Sequence, residues 1–333
     1  MSLDPDIRSS LRLPAICAPM MIVSGPELVA AACKAGIMAG LPRHNARSGE
    51  EFASWLGVIR VELDAAREAD PDARIGPLAV NITAKRPLAE ILPDLDLCIA
   101  HGVRHFITAL GDPTDMAKAI HDRGGTVFHD VTSLRFAEKA IAAGVDGLIC
   151  IGSGGGGHSG PLNALSFVPK VRAMWDGTIV FAGSVSNGAA IRAAQVLGAD
   201  LVYLGTRFIA TRESRAPDAY KAMLVDGTSS DLAYTPRVTG VPANWLKPSL
   251  ALHGLDADAL PPAAPGHAHL PDGVRPWRDL WSAGQGIDLI DDIPDVATLV
   301  ERLRIDYAAA CAMPDRADID MSDGAPGMAR GHG

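Results

Sequence analysis

Four consecutive glycines, Gly154 to Gly157, run directly into His158, Ser159 and Gly160. Each glycine costs backbone entropy on folding and adds no side chain to pack. What such a run provides is a backbone that can lie flat against something planar or phosphorylated. The side chain offered at its end is an imidazole, which exchanges protons near neutral pH. The plainer alternative is a loose surface loop. It is weakened by what flanks the run: an apolar, strand-like stretch from Leu148 to Ile151 before it and a helical pattern from Leu165 after it.

Other groups able to do chemistry recur at the ends of apolar runs. They are Ala18-Pro19-Met20, Asn81, His129, Gly183-Ser184 and Gly205-Thr206. Small residues with hydroxyls, placed where a strand turns into a helix, suit a phosphate held by backbone N–H groups. His129 also reads as a half-buried strand histidine, His158 as a loop histidine bonded to a carbonyl, and Asn81 as a turn cap. No paired carboxylates occupy these ends, which argues against glycosidase chemistry. No HExxH pattern appears, and the single HxH, His267-Ala268-His269, lies in the proline-rich stretch away from the strand ends, so no metal site is expected. His267 and His269 lie among prolines and read as solvent-exposed, and Lys85-Arg86 reads as a solvated face. Ser153 and Ser159 lack the elbow and acid partner a nucleophile needs.

The elements that must position these groups follow a simple rhythm. Apolar runs lie at 14–19, 37–41, 76–83, 105–110, 126–131, 146–151, 178–182 and 201–204. Helical patterns follow at 26–35, 49–69, 88–102, 112–123, 133–143, 165–175 and 188–197. The runs are rich in Val and Ile and do not alternate strictly, as expected for strands covered on both faces. This β–α alternation predicts an α/β fold, a (β/α)8 TIM barrel, whose chemistry lies at the C-terminal strand ends. A doubly wound open sheet is the alternative, but a GxGxxG after the first strand is absent. After Phe208 the rhythm breaks. Residues 226–276, with Gly240-Val241-Pro242 and Pro261-Pro262, read as an inserted cap over the barrel mouth, mostly short helices and loops, before helical signal returns at 295–312. The barrel is thus expected from 1–225 and 277–333, with 314–333 frayed.

In that frame Gly183-Ser184 and Gly205-Thr206 follow strands seven and eight, the usual phosphate position of such barrels. The glycine run on strand six adjoins them, which points to a phosphorylated cofactor larger than one phosphate. A net charge of −9 over 333 residues argues against nucleic acid and anionic membrane as partners. Five widely spaced cysteines without a CxxC read as free thiols, Cys17 and Cys150 as packing residues. No long apolar stretch occurs, so a soluble cytoplasmic protein is expected.

These ordered elements resemble the nitronate monooxygenases, formerly called 2-nitropropane dioxygenases, which are related to flavin enoyl-ACP reductases. The resemblance rests on Ala18-Pro19-Met20, Asn81, Gly156-Gly157-His158-Ser159-Gly160, Ala182-Gly183-Ser184, Gly198-Ala199-Asp200, Leu204 to Phe208, Gly240 to Asn244 and Ala283 to Gly286. It implies non-covalent FMN at the barrel mouth. Ala18, Pro19 and the Met20 backbone would lie near the flavin's reactive edge, and Asn81 and His129 would contact ring or ribityl chain. Gly156 and Gly157 would wall the ring, Gly183, Ser184, Gly205 and Thr206 would hold the phosphate, and Gln285 would reach in from the late segment. His158 matches the family's active-site histidine, as base or substrate anchor. The implied reaction oxidises alkyl nitronates with molecular oxygen to a carbonyl compound and nitrite. Two alternatives stay open: an NAD(P)H-dependent reductase of a quinone or enoyl thioester on the same fold, and a flavin- or phosphate-binding protein without turnover. A small-molecule substrate and a homodimer are the partners to consider. One departure stands out: where the family often carries Glu-Ala or Cys-Ala before Gly-Gly-His, this chain has Gly154-Gly155, so a side chain that could shape the pocket is missing.

Overall fold

The computed structural model describes residues 3–263 and 270–313. Its eight parallel strands are β1 (Ala15–Cys17), β2 (Met38–Pro42), β3 (Leu78–Thr83), β4 (His105–Ala109), β5 (Thr126–Val131), β6 (Gly147–Ile151), β7 (Thr178–Ala182) and β8 (Leu201–Leu204). They close in sequence order, with β8 pairing β1 through Ala15 opposite Val202, so the fold is a (β/α)8 TIM barrel. Its layers follow the two-residue strand period. Ile16, Met38, Ile107, Phe128, Ile149, Val180 and Leu201 fill the barrel interior, while their outward neighbours pack beneath the helices.

The helices are α1 (Pro5–Ser10), α2 (Pro26–Lys34), α3 (Gly49–Ala69), α4 (Leu88–Ala100), α5 (Thr114–His121), α6 (Leu134–Ala142), α7 (Ala164–Met174), α8 (Gly188–Val196), α9 (Thr206–Ile209), α10 (Asp218–Asp226), α11 (Lys247–Ala251) and α12 (Val296–Cys311). Their starts are written locally. Ser48 accepts from the Glu51 N–H, Ser133 from that of Phe136, Asn187 from that of Ala190 and Asp295 from that of Thr298. Each satisfies an N–H that the first helical turn leaves unpaired. α1 carries its own start signal, Asp4 followed by Pro5, and sends Ile7 and Leu11 into the interior at the end opposite the strand C-termini.

The segment beyond α10 differs from the expectation of short helices and loops. Leu232–Thr235 (β9) and Ala243–Leu246 (β10) pair antiparallel, Ala243 opposite Thr235. The two strands are short, and the connection between them, with Pro236, Gly240 and Pro242, masks their pattern. Val238, Trp245, Leu250, Leu260 and Leu280 give this segment a small core of its own. His267, His269 and residues 314–333 lie outside the described residues. Cys17 and Cys150 are buried packing residues, and burial pushes the Cys150 thiol up to about 12. No helix among the described residues is long and apolar enough to cross a membrane.

Candidate active site

The C-terminal strand ends open onto one cavity of about 990 Å³. Ala18, Pro19, Met20, Asn81, His129, Gly156, Gly157, His158, Gly183, Ser184, Gly205 and Thr206 all line it. Twelve residues read from separate strand ends are therefore brought to one space. Gln285 is not: its side chain is exposed, and its backbone N–H instead donates to the Gly154 carbonyl at 3.0 Å. The short 3-10 turn Gln285–Leu289 directs backbone inward and side chain outward.

The backbone of Met20 is fixed within its own turn. Its N–H donates to Ser24 Oγ at 3.0 Å, and its carbonyl accepts from the Ser24 N–H and from Asn45 Nδ2. With the backbone groups engaged inside the turn, Met20 offers the cavity its thioether chain. Asn45 fastens this loop from the other side, accepting from the N–H of Ile22, which is held at φ 68°.

The glycine loop is built by close contact. A β-carbon on Gly154 would lie 1.8 Å from Ser184 Oγ, so the space vacated there is filled by the serine. A β-carbon on Gly156 would lie 2.8 Å from the Gly284 nitrogen, and one on Gly284 2.7 Å from the Gly154 carbonyl oxygen. Three backbones thus cross where side chains do not fit. Thr206 Oγ1 accepts from the Gly284 N–H at 2.8 Å, which ties the strand-eight turn to the same crossing. Gly183 at φ 136° and Ser184 at φ 56° give the strand-seven turn its unusual path. By contrast, a β-carbon at Gly157 would meet nothing within 4 Å, and one at Gly205 would meet only Met20 and Ala18 at 3.6 Å or more. Those two backbones are open to a ligand's close approach.

β9 and β10 position the histidine. Asn244 Nδ2 donates to the carbonyls of Gly155 at 2.7 Å and Ser153 at 3.2 Å. The Ser159 N–H donates to the Pro242 carbonyl, Tyr234 donates to the Ser159 carbonyl, and His158 bridges Ala243. The imidazole itself meets Trp277 edge-on, with centroids 4.9 Å apart and planes at 86°, and Trp277 leans on Trp245. Trp277 adopts φ 61°, a conformation rare for a bulky residue. Burial, and then the Lys85 charge, hold the His158 pKa below its usual value, which keeps the ring neutral at pH 7. His129 is tied to Thr108 Oγ1 through Nδ1 at 2.8 Å, and burial pushes it down to about 4.

Sequence reading missed two groups on the cavity floor, Asp130 and Tyr203. The signal was present: a carboxylate and a phenol interrupt otherwise apolar strands, TVFHDV and LVYL. It also missed Trp277, which no strand pattern announces, and the clamping roles of Asn244 and Asn45.

The cavity suits a long, flat, phosphorylated molecule. The polar turns, the open backbones at Gly157 and Gly205 and the imidazole of His158 all line it. A family model described as nitronate monooxygenase matches residues 66–306. The chain is 29% identical over 240 residues to a (3aS,4S,5R,7aS)-5-hydroxy-7a-methyl-1-oxo-octahydro-1H-indene-4-carboxyl-CoA dehydrogenase of Mycobacterium tuberculosis, covering 71% of this chain and 64% of that relative. The chain therefore spans less than two thirds of that relative's length, and 63% of its Rhodococcus jostii counterpart. It is 27% identical over 351 residues to a nitronate monooxygenase of Pseudomonas aeruginosa, covering 88% and 97% of the two chains. Nitroalkane oxidase from Streptomyces ansochromogenes superposes with a TM-score of 0.71 at 25% identity, over 92% of this chain and 99% of that one. FabK from Thermotoga maritima shares the fold, with a TM-score of 0.68 at 23% identity over 91% and 95%.

Proposed function

The chain belongs to the nitronate monooxygenase family, and from that premise we propose that it is an FMN-dependent enzyme that oxidises alkyl nitronates with molecular oxygen, releasing nitrite and a carbonyl compound. The observation that carries the reading is the neutral, half-buried His158 lining the same cavity as the Gly183-Ser184 and Gly205-Thr206 turns, which follow strands seven and eight where such barrels usually hold a phosphate.

The residues fit the cofactor. Gly183, Ser184, Gly205 and Thr206 would hold the phosphate. The open backbone at Gly157 leaves room for a flat ring, that at Gly205 lets a phosphate approach, and Asn81, its Nδ2 fixed on the Ile107 carbonyl, borders the same space. When bound, FMN supplies electron acceptance and oxygen chemistry. The chain supplies the rest. A neutral nitroalkane must lose the proton on its α-carbon, and the neutral imidazole of His158 is the group poised to take it. Trp277, Trp245 and β9–β10 fix the ring's position. A substrate arriving as the nitronate needs no proton removed; His158 then donates an N–H to its oxygens.

One observation favours a second reading, an NAD(P)H-dependent reductase of a quinone or enoyl thioester. Met21, Leu110 and Phe136 are exposed at the cavity's edge beside Lys139. An apolar rim next to a cation suits an apolar acyl chain on an anionic carrier, such as the substrate named for the carboxyl-CoA relative.

Two measurements test the assignment. The purified protein should be yellow and release FMN on denaturation. Mixed anaerobically, it should be bleached rapidly by an alkyl nitronate. Bleaching by NADH or NADPH with no response to any nitronate replaces the first reading with the second. A flavin that responds to none of these leaves a binding protein without turnover.

A further inference from the structure

We propose that Asp130 acts as a neutral carboxylic acid on the cavity floor and donates a hydrogen bond to the flavin ring, with Tyr203 as a second donor beside it. The inference rests on the FMN reading above and adds residues that the family motifs do not point to.

The geometry comes from the strand period. Phe128 belongs to the barrel interior, so Asp130, two residues on in β5, turns the same way, and it lines the cavity. Its Oδ1 is fully covered and has no hydrogen-bond partner. A covered oxygen without a partner is costly, most of all when it carries charge, so this oxygen disfavours the carboxylate, and the residue meets the cavity through the rest of its carboxyl.

Nothing around the carboxyl favours its charge. In the ladder Asp130 stands opposite Ile149 of β6, and on the other side Ala109 of β4 follows the Thr108–His129 pair. His129 on the same strand engages Thr108. From β8 comes Tyr203, whose own ionisation is opposed by burial and by Asp130. The remaining titratable groups of the cavity wall are His44, Asp112, Lys139, His158 and Tyr220. Burial alone pushes the Asp130 carboxyl up to about 7. Burial raises the Tyr203 hydroxyl well above its usual value, so it is a donor throughout the neutral range, while Asp130 is a donor on the acid side of about 7.

A donor floor fits the pyrimidine edge of a flavin, where carbonyl oxygens flank an N–H. A neutral acid, or a carboxamide, donates to one and accepts from the other. A carboxylate only accepts, and its charge faces the carbonyls. FMN should therefore bind more weakly as Asp130 ionises.

The test measures FMN dissociation from the purified holoprotein by flavin fluorescence on dilution, in wild type, D130N and D130L. The ratio of wild-type to D130N affinity cancels the titration of the FMN phosphate and of the histidines, which both proteins share. That ratio should fall about tenfold between about pH 6 and about pH 8, since a group titrating near 7 is mostly neutral at one and mostly ionised at the other. D130L, which folds without a buried polar group, should bind more weakly than D130N at both. A constant ratio, or D130L binding as tightly as D130N, overturns the role of Asp130 while leaving the flavin reading intact. A protein purified colourless that takes up no FMN overturns both.

Discussion

Gly154 and Ser184 occupy one space between them: a β-carbon on Gly154 would stand 1.8 Å from Ser184 Oγ and 3.0 Å from its Cβ. The Gly154 carbonyl meanwhile accepts from the N–H groups of Ser184 and Gln285. The glycine loop, the strand-seven turn and the late segment are therefore locked at one carbonyl. The departure from the Glu-Ala or Cys-Ala pattern does not leave a hole; the serine takes the place of the missing side chain.

Gly154→Ala should consequently strain this junction. Overpacking of this kind costs about 1–3 kcal/mol, and the melting temperature should drop with it. FMN retention should fall as well, because Ser184 stands in the turn assigned to the phosphate. Ser184→Gly in the Gly154→Ala background removes both clashing atoms at a position whose φ of 56° suits glycine. The double variant should recover part of the lost melting temperature. A single variant as stable as the parent shows that the junction is slack.

His158→Ala should keep the FMN, which is held elsewhere, and lose about a hundredfold or more in turnover of a neutral nitroalkane. The pH profile gives the sign. Burial and Lys85 lower the His158 pKa, so the ring is the free base above that value and is lost as a base when pH falls through it. The activity on a neutral nitroalkane should decline on the acid side with an inflection below the ordinary histidine value. A profile flat through that region in wild type removes His158 from the base role.

Trp277→Ala should loosen the imidazole without touching the phosphate turns. The edge-on contact at 4.9 Å is worth about 0.5–1.5 kcal/mol. Steady-state kinetics should show up to roughly a tenfold fall in kcat/KM, with FMN content unchanged. Trp277→Phe keeps an aromatic face for the ring and should lie close to wild type. Equal losses in both variants assign the effect to the strained backbone at this position.

How far the sequence carried this description depends on what each residue's neighbours are. The barrel was readable because β–α alternation is local: each apolar run and each cap, such as Ser133 or Asn187, is decided within a few residues. Strand-end groups such as His158 and Gly205 were readable for the same reason, since a barrel places strand ends together whatever the loops do. Orientation was not readable. The Ala283 to Gly286 motif located a segment at the site, yet whether Gln285 enters by side chain or backbone depends on Gly154, far away in sequence. Trp277 and Asn244 act on His158 across the junction of β10 with the glycine loop, and that pairing leaves no periodic trace. Asp130 was visible as a charge in an apolar strand, but its significance needs the knowledge that nothing pairs with it.

Asp130 also carries a prediction independent of any ligand. Its folded pKa is pushed up to about 7 from an ordinary carboxyl value of 3.8. Below 3.8 the carboxyl is neutral in the folded and unfolded chains alike, and it contributes its full share to stability. Between 3.8 and 7 the unfolded chain releases the proton and the folded chain keeps it, so stability falls as pH rises; above 7 both have released it and the loss is complete. The loss amounts to at most about 4 kcal/mol, reduced to the extent that water in the cavity solvates the carboxylate. Asp130→Asn removes the ionisation while keeping the shape. In the FMN-free protein its denaturation midpoint should exceed that of wild type at pH 8, and the difference should shrink steadily toward pH 4. A difference that is constant across this range places the ionised carboxylate in solvent and its folded pKa near that of any exposed aspartate.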